Sequence, residues 1–183
     1  MTEHVVMVVR GIVRLSKEGV GQRLQIIRLL KPYDTFGYRS AMAGDSHSTS
    51  ATALEPTILY YVERDAFLEV IQKNIKFCYA VLVAMSKDLG ISETQTVNLT
   101  QKHIRGRLAE TLITLKNTYG LDGDGATIAM YIAREDLANM SNMTTSNAIR
   151  TLSQFASEGL ISLDGRKIKL LDESELTRIS RLG

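Results

Sequence analysis

The stretch REDLANMSNMTTSNAIRTLSQF, residues 134–155, decides the fold. Two helical patterns, Arg134 to about Met140 and Thr144 to Glu158, are separated by only a few residues. A tight connection of this kind needs one residue at positive φ. That place falls on Asn142, one of the few non-glycine types that tolerates it. Thr144 is placed to cap the second helix. Ala138 is small enough to let two helices touch, and Ala148 with Leu152 gives the second helix an apolar inner face. The pattern predicts a helix-turn-helix. Its outward face offers Thr145, Ser146, Asn147 and Arg150, short hydrogen-bonding side chains plus one guanidinium, which suits the reading of base edges in a major groove. A helical hairpin with an exposed polar side fits the helix pair alone equally well.

The following residues shift that balance. ISLDGRKIKLL, residues 161–171, has Asp164-Gly165 between alternating apolar positions, a strong β-hairpin signal. Arg166, Lys167 and Lys169 cluster on it where a wing would meet phosphates. From Thr144 to Leu171 the basic residues are Arg150, Arg166, Lys167 and Lys169, against the acidic Glu158 and Asp164. Upstream, Ile104, Leu108, Leu112, Leu115 and Tyr119 form one helical face that Gly120 terminates. A turn over Asp122 to Gly125 then leads to an expected strand, Thr127 to Ile132. The outline is a winged helix-turn-helix with Thr144, Thr145, Ser146, Asn147, Arg150, Arg166, Lys167 and Lys169 as DNA-binding candidates.

The first third of the chain has a different period. VVMVV, broken by Gly11, the alternation of Ile12 to Ser16, the run Gln22 to Leu30 before Lys31-Pro32, and Thr57 to Val62 are short strands at close spacing. They predict a small β-barrel or roll. Asp65 to Gln72 reads as a short helix, and Ile75 to about Leu99 as a long one. Along the latter, Cys78, Leu82, Met85, Leu89, Ser92, Thr96 and Leu99 are spaced alternately four and three apart. This is a heptad seam that predicts dimerisation, although a helix lying on its own domain gives a similar stripe.

Composition excludes several classes. The 183 residues are 44% hydrophobic and 23% charged, which is ordinary globular composition, and the net charge of +2 means that any basic surface is local. One cysteine, Cys78, closes no intrachain disulfide and fits a reducing cytosol. No apolar run reaches the length of a spanning helix. His4, His47 and His103 are scattered, so no metal site is expected. Asp122 and Asp124 resemble the start of a calcium loop, but Ala126 and the missing downstream Glu make it a turn. The triplets Asn98-Leu99-Thr100 and Asn142-Met143-Thr144 are glycosylation acceptors by chance in a cytosolic protein.

With these parts in order, the chain resembles the Crp/Fnr family of bacterial transcription regulators. The matching stretches are VVRGIVRLS, KPYDTFG, TSATAL, GRLAETLITL and IAREDLANMSNMTTSNAIRTLSQFASEGLI. The resemblance implies an α+β fold in three parts. These are a cyclic-nucleotide-binding-like β-roll over residues 1–74, a dimerisation helix over 75–99 and a winged helix-turn-helix over 100–183. It also implies a homodimer on two-fold related double-stranded DNA that recruits or blocks RNA polymerase. Family members carry several tens of residues before the strand that opens this chain. Either the start lies further upstream, or the roll lacks its first strands and covers the edge another way.

The resemblance places the effector pocket at Gly37, Tyr38, Arg39, Thr49, Ser50 and Ser92. Cyclic-nucleotide members have a Glu after the Phe-Gly of the ligand loop and an Arg before Ser-Ala-Thr. Here Tyr38 and Thr49 occupy those places, and a buried phosphate without its guanidinium is poorly held. Arg39 is nearby but falls on the opposite face if the segment is extended. The reading helix has Thr145 and Ser146 where the best-known members use Arg and Glu, and retains Arg150. The leading reading is therefore a cytoplasmic, non-enzymatic DNA-binding regulator with a degenerate pocket, an unknown effector and no expected cofactor. The alternatives are a regulator sensing another small ligand, such as an anion or a haem held by His47, and a β-barrel enzyme with an appended helical domain.

Overall fold

The structure, a computed structural model, describes residues 3–182. The chain divides into two compact units, Met1–Glu93 and Thr94–Gly183.

In the first unit the strands are β1 (His4–Arg10), β2 (Val13–Glu18), β3 (Leu24–Leu30), β4 (Thr35–Phe36), β5 (Ser50–Ala53) and β6 (Ile58–Glu63). They form two three-stranded antiparallel sheets, ordered β4-β1-β6 and β3-β2-β5. The chain passes from one sheet to the other at Gly11, whose φ is 91°. A Cβ there would lie 2.5 Å from Thr57 Oγ1 and 2.9 Å from the Pro56 carbonyl, so only glycine fits. Val8, Val13, Leu15 and Leu30 are buried together, with Phe36 and Leu59 packed against them. The simple alternation expected over Ile12 to Ser16 breaks at its end. A register shift between Leu15 and Ser16 turns the Ser16 side chain inward after Leu15, and both are buried. Residues 20–22 form a 3-10 turn, so β3 starts at Leu24 rather than Gln22. The outer strand β5 is exposed along its length, and β6 exposes Ile58, Tyr60 and Tyr61.

Between β4 and β5 the expected extended loop is instead a helix, α1 (Tyr38–Ala43). Gly37 enters it at φ 87° and Gly44 leaves it at φ 71°, conformations that punctuate a short helix at both ends. Helix α2 (Arg64–Lys73) follows β6, and α3 (Ile75–Gln101) is the long helix, two residues longer than its expected span. Val5, Tyr38, Ala41 and Phe67 form a second buried cluster, against which Phe77, Val81 and Met85 of α3 pack.

The second unit contains α4 (Ile104–Tyr119), α5 (Arg134–Met140), α6 (Thr145–Ser157), the hairpin β7 (Ile161–Asp164) and β8 (Lys167–Leu170), and α7 (Glu173–Leu182). Its core is Leu108, Leu112 and Leu115 of α4, Leu137 of α5, Leu152 and Phe155 of α6, Ile161 and Ile168 of the hairpin, and Leu176 of α7, all buried. The strand expected over Thr127 to Ile132 is absent as a ladder. Only isolated bridges form, Leu121 to Ile128 and Thr127 to Lys169. Ile128, Met130 and Ile132 do alternate into the core, so the pattern reported burial rather than pairing. Helix α7 was not anticipated. Its signal is Asp172-Glu-Ser-Glu175: Asp172 Oδ1 accepts the Glu175 N–H at 2.9 Å, and Leu176 and Ile179 then turn inward.

Candidate functional site

Helices α5 and α6 pack together, and each buries a small residue, Ala138 and Ala148, which are 1% and 0% exposed. Larger side chains at either place would drive the helices apart. Between them Asn142 takes φ 47°, the positive value the turn requires. The Met143 N–H donates to the Ala138 carbonyl at 3.0 Å across the turn. Thr144 Oγ1 then accepts the Asn147 N–H at 3.2 Å and caps α6. On α6, Ala148, Thr151, Leu152 and Phe155 are buried, so the opposite arc faces outward. Thr145, Ser146 and Arg150 are exposed on it and Asn147 is half-buried at its edge. Arg150 Nη2 donates to Asn147 Oδ1 at 2.8 Å, which restrains the guanidinium along the helix.

Three arginines missed by the sequence reading hold this unit in shape. Arg107 of α4 donates to the carbonyls of Lys102 at 2.8 Å, Ser141 at 2.8 Å and Asn142 at 3.1 Å. The buried Thr111 and Ser141 hydroxyls add a 2.8 Å hydrogen bond beside it. Arg134, first residue of α5, donates to the Gly165 carbonyl at 2.7 Å at the hairpin tip, and burial lowers its pKa. Arg105 ion-pairs with Glu158 through both carboxylate oxygens and lies 4.7 Å over the Phe155 ring. That pairing holds the Glu158 carboxyl below its usual pKa and keeps it ionised, and Arg105 offsets one of the two acidic charges counted beside the reading helix. Nothing in IRGRLAETL, residues 104–112, distinguishes Arg107 from Arg105, because their partners lie 35 and 53 residues away.

The hairpin bears its basic residues unequally. Arg166 and Lys167 are exposed, and the Lys167 ammonium sits 5.3 Å from the Tyr131 ring centroid. Lys169 differs from the expectation of a free phosphate contact, since its ammonium pairs with Asp124 at 3.3 Å. Asp124 also accepts the Thr127 and Ala126 N–H groups at 2.8 and 3.0 Å and the Thr127 hydroxyl at 2.8 Å. Those bonds, the Thr127 N–H first, keep it far below the usual carboxylate pKa, and Lys169 adds to the effect. The Asp122 to Gly125 segment is thus a turn organised by Asp124.

The pocket candidates are partly brought together. Gly37 leads into α1, and a Cβ on it would come within 3.0 Å of the His4 carbonyl and 3.1 Å of His47 Cε1. Tyr38 is buried, and its hydroxyl donates to Asp88 of α3, which also accepts from Arg28 Nη1 at 2.8 Å. Burial and then the Asp88 hydrogen bond raise the Tyr38 pKa. The α3 residue meeting Tyr38 is therefore Asp88, one turn before Ser92, which is exposed. Arg39 does not lie on the far face of an extended strand, because the segment is helical. It reaches Ser40 Oγ at 3.2 Å, Ser48 Oγ at 3.3 Å and Asp45 at 3.5 Å. Thr49 is half-buried and Ser50 exposed at the start of β5. His4 bonds Glu63 at 3.2 Å and packs edge-on to Tyr61, while His103 precedes α4. Among the described residues no group of three or more His, Cys, Asp or Glu is placed to hold a metal ion.

The long helix divides its seam candidates. Met85 packs inward against the cluster of Val5, Tyr38, Ala41 and Phe67, because Phe77, Val81 and Met85 lie four apart on the face that meets α1 and α2. Cys78 and Leu99 are half-buried. Leu82 and Leu89 remain 52% and 62% exposed, and Ile75 and Tyr79 continue that line at 80% and 69%. Ser92 and Thr96 lie on exposed positions further along. No helix among the described residues is long and apolar enough to cross a membrane.

Comparison with known proteins agrees with this division. Residues 1–74 match the family model of the cyclic nucleotide-binding domain, and residues 106–179 that of the Crp-like helix-turn-helix domain. The chain is 22% identical to the CRP-like cAMP-activated global transcriptional regulator of Mycobacterium tuberculosis, over 98% of this chain and 80% of that protein. It is 26% identical to the nitrogen fixation regulation protein FixK of Azorhizobium caulinodans, over 98% of this chain and 72% of that one. The structure of FixK2 from Bradyrhizobium japonicum superposes with a TM-score of 0.87 at 26% identity, covering 97% of this chain and 87% of that one.

Proposed function

Because the chain belongs to the Crp/Fnr family of transcription regulators, we propose that two copies read a two-fold related DNA site, with α6 in the major groove and the β7-β8 hairpin on the backbone. The observation that carries this reading is the outward arc of α6. Thr145, Ser146 and Arg150 project from a helix whose other side is locked by Ala148, Leu152 and Phe155. Thr144, the helix cap, places the α6 N-terminus toward the duplex, where its N–H groups favour a phosphate. Arg150 alone has the fork that grips guanine O6 and N7 together. Asn147 presets its direction. Arg166 and Lys167 serve as phosphate contacts, which orient the unit without selecting sequence. Lys169 is a lesser one because Asp124 shares its charge.

Two reading helices must sit about one DNA turn apart, which requires a dimer. The apolar line Ile75, Tyr79, Leu82 and Leu89 on α3 is the surface for it. We further propose that the roll no longer takes a cyclic nucleotide, in contrast to what the name of the mycobacterial relative states for that protein. Tyr38 and Thr49 lack the charges that hold ribose and phosphate, and Tyr38 with Arg28 instead satisfies Asp88 from within the chain. Recruitment or blocking of RNA polymerase in the cytoplasm completes the reading, which assigns the protein no catalytic step. A gel-shift series tests it: a sequence enriched from a random duplex library should bind over a non-specific background that falls steeply with salt. Binding that is equal for all duplexes at every salt concentration would refute it.

A further inference from the structure

An apolar side chain stands in the middle of the polar arc just described. Ile149 is 49% exposed. At 100° per residue, the outward residues Thr145, Ile149, Ser153, Ser146 and Arg150 fall in that angular order within about 140° of the helix. Ile149 lies between Thr145 and Ser153, one turn from each, and about 100° around the helix from Arg150. The buried residues Ala148, Thr151, Leu152 and Phe155 occupy the opposite side. Ile149 therefore contributes nothing to the core through its exposed half. Single exposed apolar residues are common on protein surfaces and need no explanation by themselves. This one is different because of its company, since every outward neighbour on the helix is a hydrogen-bonding residue.

We propose that Ile149 reads the C5-methyl group of a thymine. The inference rests on the proposed DNA-reading role of α6. Of the four bases, only thymine offers a methyl group in the major groove, and an apolar side chain recognises it by excluding water from both. Ile is well suited because two branches on Cβ restrict χ1, so little side-chain freedom is lost on contact. Adjacent helix positions reach neighbouring base pairs, which places this thymine within about two base pairs of the guanine read by Arg150. The half-site is thus specified by one polar and one apolar contact from the same outward arc. A cytosine in place of the thymine carries hydrogen at C5 instead of the methyl group and so loses the contact.

The experiment removes the methyl group alone. Duplexes enriched by the full chain from a random library are resynthesised with each thymine replaced singly by deoxyuridine, and affinities are measured for the wild type, Ile149→Val and Ile149→Ala. Base pairing is preserved, and a cooperative thermal melt of each variant above the assay temperature checks that it is folded. The wild type should lose roughly fourfold in affinity at one thymine per half-site, the value of one buried methyl group. Ile149→Ala should be insensitive to the same replacement, and Ile149→Val intermediate. If no thymine is sensitive, or if Ile149→Ala pays the same penalty as the wild type, the inference is wrong while the DNA-reading role stands. If the wild type enriches no sequence at all, the DNA-reading role itself fails and takes this inference with it.

Discussion

Arg107 of α4 holds the carbonyl of Asn142 at 3.1 Å, and Asn142 is the residue that carries the positive φ of the turn before the reading helix. The same guanidinium holds the Ser141 carbonyl and, behind it, that of Lys102. The turn is therefore not a free loop. Its two carbonyls, which the turn leaves outside any helix, are satisfied by one side chain from another helix. Replacing Arg107 with Gln should destabilise the second unit by about 1.5 to 3 kcal/mol, the range for losing charge-assisted hydrogen bonds at a half-buried site. Asn142→Gly should be close to neutral, because glycine adopts this φ without strain. Urea denaturation of the two variants checks both statements, and equal effects from them would contradict the assignment.

Tyr38 and Arg28 both donate to Asp88, so polar side chains of α1, β3 and α3 satisfy one another. Cyclic AMP should not bind with useful affinity. Each missing charge-assisted contact to ribose or phosphate costs about 1.5 to 3 kcal/mol, and both anchors are absent. Calorimetry that returns micromolar affinity would show that Arg39 or another cation supplies the phosphate contact. Asp88→Ala should lower stability by about 1 to 3 kcal/mol, since it leaves the Tyr38 hydroxyl and Arg28 without their acceptor.

Dimerisation should depend on Leu82 and Leu89, which project 52% and 62% exposed from α3. The double substitution Leu82→Asp, Leu89→Asp places charge where two copies would bury apolar surface and should yield monomers. Met85→Ala should instead destabilise the roll, by about 2 to 4 kcal/mol if the site does not collapse, with dimerisation retained. Analytical ultracentrifugation at micromolar concentration separates the two effects.

Among the DNA contacts, Arg150→Ala should cost roughly 1 to 3 kcal/mol and relax preference at one base position. Lys167→Ala should weaken all sequences alike and reduce the salt slope by about one unit. Lys169→Ala should do less than Lys167→Ala, because its charge is already shared with Asp124. Base-preference profiles decide for Arg150: a uniform loss with no relaxed position would make it a phosphate clamp.

The second unit should lose stability in acid. Arg105 holds the Glu158 carboxyl below its ordinary pKa of 4.5, and Arg178 does the same for Glu175. A depressed folded-state pKa contributes stability above the unfolded value, and that contribution is lost as pH falls through the folded value. Stability should therefore be level near pH 6 and decline below about pH 4.5. Glu158→Gln should flatten part of the decline in a pH series of thermal melts.

How much of this was legible depended on whether a residue's partner lay nearby in sequence. The Thr144 cap, the Asn142 turn, the Asp164-Gly165 hairpin and the Gly120 stop are local chemistry, and each formed where the linear pattern placed it. Helix α1 shows no period because it has only six residues, and α7 is signalled in sequence mainly by its Asp172 cap. Thr127 to Ile132 misled because alternating burial is common to strands and to extended segments that cross a core.

Local propensity and apolar period thus determined by themselves that this chain would make a roll, a long helix and a winged helix-turn-helix. Only the tertiary structure decided which charges are spent internally. Lys169 is bound to Asp124, Glu158 to Arg105, Asp88 to Tyr38 and Arg28, and the Arg107 guanidinium to three carbonyls. It also turned Met85 inward and left Ile149 facing out. The reason is physical: a helix or strand period depends on neighbours within a few residues, whereas an ion pair or a packing contact depends on which distant segments the fold brings within a few ångströms.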